Sequence, residues 1–315
     1  MSRARPWVEA FAPATVSNLG PGFDCLGLAL RAKGDVVRAR WREAAGVDLL
    51  RLTGDGGKLP TGATNTAVVA VNALLRKHAP GAGVELELEK GLPLGSGLGS
   101  SGASAAAAVV AVDAVLDLGL PAVALVEAAR EGEAAACGAG HADNVAPAII
   151  GGIVLIVALD PLRIVSLPVP PSLWIAIYTP GFSLPTADAR AVLPRAVALG
   201  DVVQHAARLG QLVHALHIGD LALLGEAITD DIVEPARAPL IPGYLDAKAA
   251  CCEAGALACS ISGAGPTTFA LASDRGRAEA LVRLLDEAFA AAGVAGAGFV
   301  DQVGAGARIT SDVLH

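Results

Sequence analysis

Pro93-Leu94-Gly95-Ser96-Gly97-Leu98-Gly99-Ser100-Ser101 joins two segments of opposite character. Before it, Val84 to Lys90 reads V-E-L-E-L-E-K. That alternation is a half-buried strand, with Val and Leu on one face and Glu on the other. After it, Ser100 to Leu118 is Ala-rich with Val and Leu at helical spacing, and Gly119 ends it. Glycines take positive φ and let backbone approach a ligand closely. A helix start adds free N–H groups and the positive end of its dipole. The stretch therefore reads as an anion cradle between strand and helix, with one of the Ser100 and Ser101 hydroxyls suited to Mg²⁺.

Two familiar nucleotide loops are excluded. A Walker A loop needs G-K-[ST] after its glycines, and none follows. Gly97 to Gly102 matches G-x-G-x-x-G by letter, but a dinucleotide fold wants a buried apolar strand just before it. Here the strand alternates with Glu, and no acidic residue ends a second strand ~20 residues on. A dinucleotide-dependent oxidoreductase, the rival from another class, loses its support there.

The 315 residues predict two domains. Hydrophobic residues make up 53% and aromatics only 3%, so Ala, Val and Leu must fill the cores. The net charge is −8 and no Lys/Arg cluster stands out, so no nucleic-acid footprint is expected. An anionic ligand must be held by local N–H groups and a metal. The five cysteines include adjacent Cys251 and Cys252 and no C-x-x-C, which predicts small buried thiols in a reducing cytosol. Met1 to Ala12 lacks a signal-peptide core, and the longest apolar runs fall short of the ~20 residues of a membrane span. A cytoplasmic protein without membrane contact is expected.

Upstream, Trp7–Pro13 and Gly27–Arg40 read as strands around a loop Ser17–Asp24, and Asn65–His78 as a helix. Pro121 starts a helix to about Arg130, and Ile153–Leu159 fits a buried strand. The proline-rich stretch Pro161–Pro171 places the domain boundary, giving domains 1–163 and 164–315. In the second, strand Leu173–Tyr178 precedes a helical region Thr186–Ile228 and a loop Asp230–Gly243. Helix Tyr244–Ala254, strands Ala256–Ile261 and Thr268–Ala272, helix Arg275–Ala292 and strand Gly296–Val303 follow. Collapsing adjacent helices gives β-α-β-β-α-β, the split βαβ of ferredoxin-like folds. The expected architecture is two α+β domains with a cleft between them.

Two further Gly-rich blocks flank this pattern: Ala12 to Asp24, containing Ser17-Asn18-Leu19-Gly20-Pro21-Gly22-Phe23-Asp24, and Ser262-Gly263-Ala264-Gly265-Pro266-Thr267-Thr268. With the P-x-x-x-G-L-G-S-S loop, they resemble the three signature motifs of the GHMP kinases, in order and spacing along the whole chain. The usual Ala after the serines is Gly102 here. His141-Ala142-Asp143-Asn144-Val145-Ala146-Pro147 resembles the H-x-D-N-V-A-P block of homoserine kinases, with Asn144 where several sister kinases place a catalytic Asp.

The resemblance implies an N-terminal nucleotide-binding α+β domain and a C-terminal ferredoxin-like one. It implies ATP-dependent phosphorylation of the L-homoserine hydroxyl, a step of threonine biosynthesis, with mevalonate kinase as runner-up. ATP would lie on Pro93, Leu94, Gly95, Ser96, Gly97, Leu98, Gly99, Ser100 and Ser101, with Gly263 and Gly265 closing over it. Thr64 and Asn65 would contact adenine, and Ser101 and Glu133 would hold Mg²⁺. Asn18, Asp24, Asn144, Thr186, Arg190 and Arg237 would bind homoserine: the arginines offer forks for its carboxylate and Asp24 a partner for its ammonium. Asn144, Glu133 and Asp143 are the expected catalytic residues. An Asn cannot accept a proton, so the hydroxyl proton leaves to the γ-phosphate or a water, or to Asp143 or His141. A homodimer is expected.

Overall fold

The computed structural model describes residues 6–313, apart from the side chains at 136, 137 and 311–313. The first sheet contains β1 (Trp7–Asn18), β2 (Gly22–Arg42), β3 (Gly46–Thr53), β4 (Gly83–Glu89), β5 (Ile153–Leu159) and β6 (Leu162–Leu167). It is closed at one edge by the last strand of the chain, β11 (Arg308–Val313), in the order β11-β1-β2-β4-β3, with β5 paired to β2 and β6. The helices α1 (Thr66–His78), α2 (Ser100–Leu116), α3 (Ala122–Cys137) and α4 (Ala142–Ile150) cover its inner face. β4 shows why the sheet is two-faced. Val84, Leu86 and Leu88 are buried, while Glu85 pairs with Arg40 at 2.5 Å across the β2–β4 register. Ala103, Ala105, Ala106, Ala107, Ala108 and Ala111 of α2 are all buried, so its small side chains let the helix pack closely between the sheet and its sister helices.

The second sheet has the order β10-β7-β9-β8, from β7 (Trp174–Pro180), β8 (Ala258–Ile261), β9 (Thr268–Ala272) and β10 (Gly296–Asp301), all neighbours antiparallel. That is the strand order of a split βαβ unit. Between β7 and β8 lie α5 (Thr186–Ala191), α6 (Leu199–Ile218), α7 (Leu221–Ala227), a one-turn α8 (Glu234–Arg237) and α9 (Tyr244–Glu253). The helix α10 (Arg275–Ala291) packs on one face with α9, where Tyr178 stacks on Phe289 at 5.1 Å. The other face, with Ile175, Ile177 and Phe269, shares a core with Leu26 and Leu28 of β2 and Leu212 and Leu216 of α6.

The expected division at 163/164 meets a strand. Leu162–Leu167 is a strand of the first sheet, in register with β5 from Leu159↔Leu162 to Ile153↔Leu167, so the boundary falls inside β6. Pro161 marks the β5–β6 hairpin, and the chain leaves the first sheet only after Leu167. The C-terminal strand β11 then returns to pair with β1. The loop read from Asp230 to Gly243 contains α8, and the block at His141–Pro147 opens α4. Of the described cysteines, Cys251 and Cys259 are buried as expected, whereas Cys252 is exposed; all four are free, and the Cys137 side chain lies outside the described residues. Residues 1–5 of the start read for a signal peptide also lie outside them. Among the described residues, no helix is long and apolar enough to cross a membrane.

Candidate active site

The Gly-rich loop and the start of α2 form one wall of a cavity of about 550 Å³. Gly95, Gly97 and Gly99 have φ of +60°, +82° and +63°. Each is also packed too closely for a side chain: a Cβ would lie 2.0 Å from Ser183 Oγ, 2.4 Å from the Ser262 carbonyl oxygen and 2.1 Å from Thr15 Oγ1, respectively. The loop is clasped by the other blocks. The Thr15 N–H donates to the Leu98 carbonyl at 3.1 Å, and the Thr267 N–H to the Ser96 carbonyl at 3.0 Å. Ser262 Oγ donates to the Gly97 carbonyl at 2.7 Å. At the start of α2, Gly99 supplies no side-chain cap and the first turn carries no acid. The first-turn amides therefore remain available to an anion. Leu94, Gly95, Ser96, Gly97, Gly99, Ser100 and Ser101 line the cavity. Leu98 is instead buried in the core, and Pro93 accepts the Ser96 hydroxyl through its carbonyl at 2.9 Å.

Beneath the loop sits a buried ion pair absent from the expected site. Lys90 Nζ contacts Asp35 and donates to the Ser100 carbonyl at 2.7 Å and Ser104 Oγ at 2.8 Å. The other Asp35 oxygen accepts the Gly91 and Leu92 N–H groups at 2.9 and 3.2 Å. Burial lowers the Lys90 pKa, and the Asp35 carboxylate opposes that. The pair ties strand end, loop start and helix start together. Its signal was present in the sequence: Lys90 continues the buried face of Val84, Leu86 and Leu88.

At the floor of the cavity Ser101 Oγ donates to Glu133 Oε2 at 2.5 Å. Glu133 is buried, and its Oε1 lies 3.6 Å from His141 Nδ1. A hydroxyl and a carboxylate beside a phosphate-shaped cradle are oxygen donors that fit a hard cation. Among the described residues no three or more His, Cys, Asp and Glu side chains are arranged to hold a metal ion, so such a cation would take most of its ligands from phosphate and water. Asp143, in the first turn of α4, is buried and its Oδ1 has no hydrogen-bond partner. Burial, then the Asp24 charge, pushes its pKa up to about 7, with His141 opposing. Pro147 removes the N–H that would meet the Asp143 carbonyl, and Gly27 presses there, where a Cβ would lie 1.9 Å from that oxygen. Asn144 follows, its Oδ1 3.4 Å from Thr15 Oγ1.

The opposite end of the cavity is charged. Asp24 and Arg190 form a two-point pair, with Arg190 Nη2 at 2.7 and 2.9 Å from the two carboxylate oxygens. Asn18 and Asp24 both have positive φ, +76° and +56°, conformations that Asn and Asp tolerate better than most residues. Asn18 Oδ1 accepts the Asp24 N–H at 3.1 Å, and its Nδ2 donates to the Gly263 carbonyl at 3.1 Å. Arg237 is buried and donates to the carbonyls of Ala189 at 3.2 Å and Gly263 at 2.8 Å. The Phe23 ring lies 5.5 and 5.3 Å from the two guanidinium carbons.

The pattern of the GHMP kinases N terminal domain matches residues 65–152, and that of the GHMP kinases C terminal domain matches residues 212–298, together more than half of the chain. The chain belongs to the GHMP kinases. A homoserine kinase of Chloroherpeton thalassium is 41% identical over 293 residues, covering 90% of this kinase and 92% of the relative. The homoserine kinase of Arabidopsis thaliana is 44% identical over 310 residues, covering 95% and 84%. The crystal structure of homoserine kinase from Cytophaga hutchinsonii superposes with a TM-score of 0.93 at 41% identity, covering 98% and 99%.

In this kinase Asn18, Asp24, Glu133, Asp143, Asn144, Thr186, Arg190, Arg237, Gly263 and Gly265 all line the one cavity. Thr64 and Asn65 do not, whereas Leu59 and Thr66 do. Thr64 is exposed. The Asn65 amide is occupied as the cap of α1, accepting the Ala67 N–H at 3.0 Å and donating to the Pro60 carbonyl at 2.8 Å.

Proposed function

We infer that the chain is a homoserine kinase, transferring the γ-phosphoryl group of ATP to the side-chain hydroxyl of L-homoserine, a step of threonine biosynthesis. The observation that carries the substrate is the Asp24–Arg190 pair with Arg237 beside it. A zwitterion fits such a pair without a change in net charge: its carboxylate takes the arginines and its ammonium takes Asp24. Mevalonate has no ammonium and would leave Asp24 without a partner.

The triphosphate would rest on Leu94–Ser101 and the α2 amides, with Gly263 and Gly265 on its far side. Mg²⁺ would be held by Ser101 and Glu133, and when bound it neutralises charge on the phosphate oxygens. Thr186 at the start of α5 would complete the homoserine pocket. Asn144, with its carbonyl oxygen turned to Thr15, would present its amide N–H groups to the acceptor hydroxyl. Asp143 would take the hydroxyl proton as the O–P bond forms and the bond to the ADP oxygen breaks. The free Oδ1 and the raised pKa of Asp143 support that role over a direct loss of the proton to phosphate. A homodimer is also proposed, because α6 exposes Leu199, Val202 and Val203 to a second copy; a monomer in sedimentation at micromolar protein would remove it. The free cysteines suit a cytoplasmic setting.

Asp24→Asn tests the substrate assignment. Loss of a hydrogen bond to a charged group costs about 1.5–3 kcal/mol, so KM for homoserine should rise roughly 10- to 100-fold with KM for ATP unchanged. KM for 4-hydroxybutanoate, which lacks the ammonium, should barely move. Equal penalties on both acceptors would show that Asp24 does not read the ammonium.

A further inference from the structure

Arg237 sits on α8, a four-residue helix that no propensity would hold alone. Two buried acids fix it. The Asp230 carboxylate accepts the N–H groups of Ile232, Val233 and Glu234 at 2.9, 2.8 and 3.0 Å, setting the start of the turn. The Glu234 carboxylate points the other way, away from the cavity. It accepts Ser260 Oγ of β8 at 2.8 Å and pairs with Lys248 Nζ of α9. Glu234 is buried, and the fully buried Tyr244 closes the cluster beside it. One turn on, Arg237 projects to the Gly263 carbonyl, only three residues beyond Ser260. Both ends of the short path from Glu234 to Arg237 therefore hang on one stretch of chain, Ser260 in β8 and Gly263 in the loop that leaves it.

We propose that Glu234 is a positioning residue that sets the Arg237 guanidinium for the substrate carboxylate, through its anchor to Ser260 and Lys248. It touches neither substrate nor the cavity, and its effect is on acceptor recognition. The inference rests on the reading of Arg237 as a carboxylate ligand.

The experiment measures KM for homoserine, for its carboxylate-free analogue 2-aminobutane-1,4-diol, and for ATP. Glu234→Ala and Glu234→Gln are compared with Lys248→Met, which keeps the carboxylate but removes its cation, and with Arg237→Met. Small misplacements of a binding group carry large kinetic penalties, so Glu234→Ala should raise KM for homoserine roughly tenfold or more. The amino diol and ATP should shift less than about twofold, because neither uses Arg237. On the Arg237→Met background, Glu234→Ala should add no further loss for homoserine, the non-additivity of coupled groups. Glu234→Gln retains the Ser260 acceptor and should recover part of the affinity. Should Glu234→Ala fail to fold, Glu234→Gln and Lys248→Met carry the same comparison. An equal penalty on homoserine and amino diol would overturn the proposal, as would full additivity with Arg237→Met. If Arg237→Met itself leaves homoserine KM unchanged, the carboxylate assignment falls and the Glu234 role with it. If Arg237→Met raises KM and the Glu234 variants do not, the Glu234 role alone falls.

Discussion

Asp143→Asn should lower kcat for homoserine by roughly 10²–10⁴-fold, the contribution of a positioned general base, while both KM values stay within about twofold. The replacement preserves shape and burial and removes only the proton acceptor. The carboxylate form of Asp143 is populated above a pKa of about 7. The kcat/KM of the parent enzyme should therefore rise with pH through that value, and the variant should lose this limb. The stability effect has the opposite sign. The folded-state pKa lies above the ordinary 3.8, so the fold favours the neutral form. That preference stabilises the protein at acid pH and is lost as pH rises towards about 7. Asn stays neutral, so the variant should melt higher than the parent at pH 8. A variant with normal turnover would return the proton to the γ-phosphate or a water.

Gly99→Ala should reduce kcat/KM for ATP by about 100-fold, the scale of an ångström-sized misplacement at a reacting centre. Left-handed backbone alone costs a non-glycine residue about 1–2 kcal/mol. The larger effect is steric. The new Cβ would stand 2.1 Å from Thr15 Oγ1 and 3.2 Å from Asn144 Oδ1. Thr15 is fully buried and cannot withdraw, so either the loop lifts off β1 or Asn144 turns. Gly119→Ala is the control. It has the same kind of backbone, φ +60°, with nothing within 4 Å of an added Cβ. It should lower stability slightly and leave the kinetics unchanged. Equal kinetic losses in both variants would show that the cradle geometry is not what Gly99 provides.

The sequence made the second domain almost fully legible because each element there has one clear periodicity. The 4-1-3-2 sheet follows from a β-α-β-β-α-β order once the helices are merged. The first domain was harder at its edges. β6 is short and follows Pro161, so the proline-rich stretch hid a paired strand. β11 is a pairing across most of the chain length, which no local pattern announces. At the site, most expected residues meet in one cavity, though they come from β1, β2, α2, α3, α4, α5 and α8. Their convergence was readable only through the three family blocks, since each alone is an ordinary turn. Asn65, expected to contact adenine, has a second duty that its place before a helix start also announces: its amide caps α1. Lys90 and Asp35 were missed because the alternation of β4 was read for its strand and not for the one charged residue on its apolar side.

The choice of acceptor is read most directly from ATP consumption with homoserine, mevalonate and galactose, each at equal concentration with Mg²⁺ and with the product identified by mass. Turnover is expected with homoserine alone, yielding O-phosphohomoserine and ADP in equal amounts. Turnover with mevalonate but not homoserine would contradict the homoserine assignment.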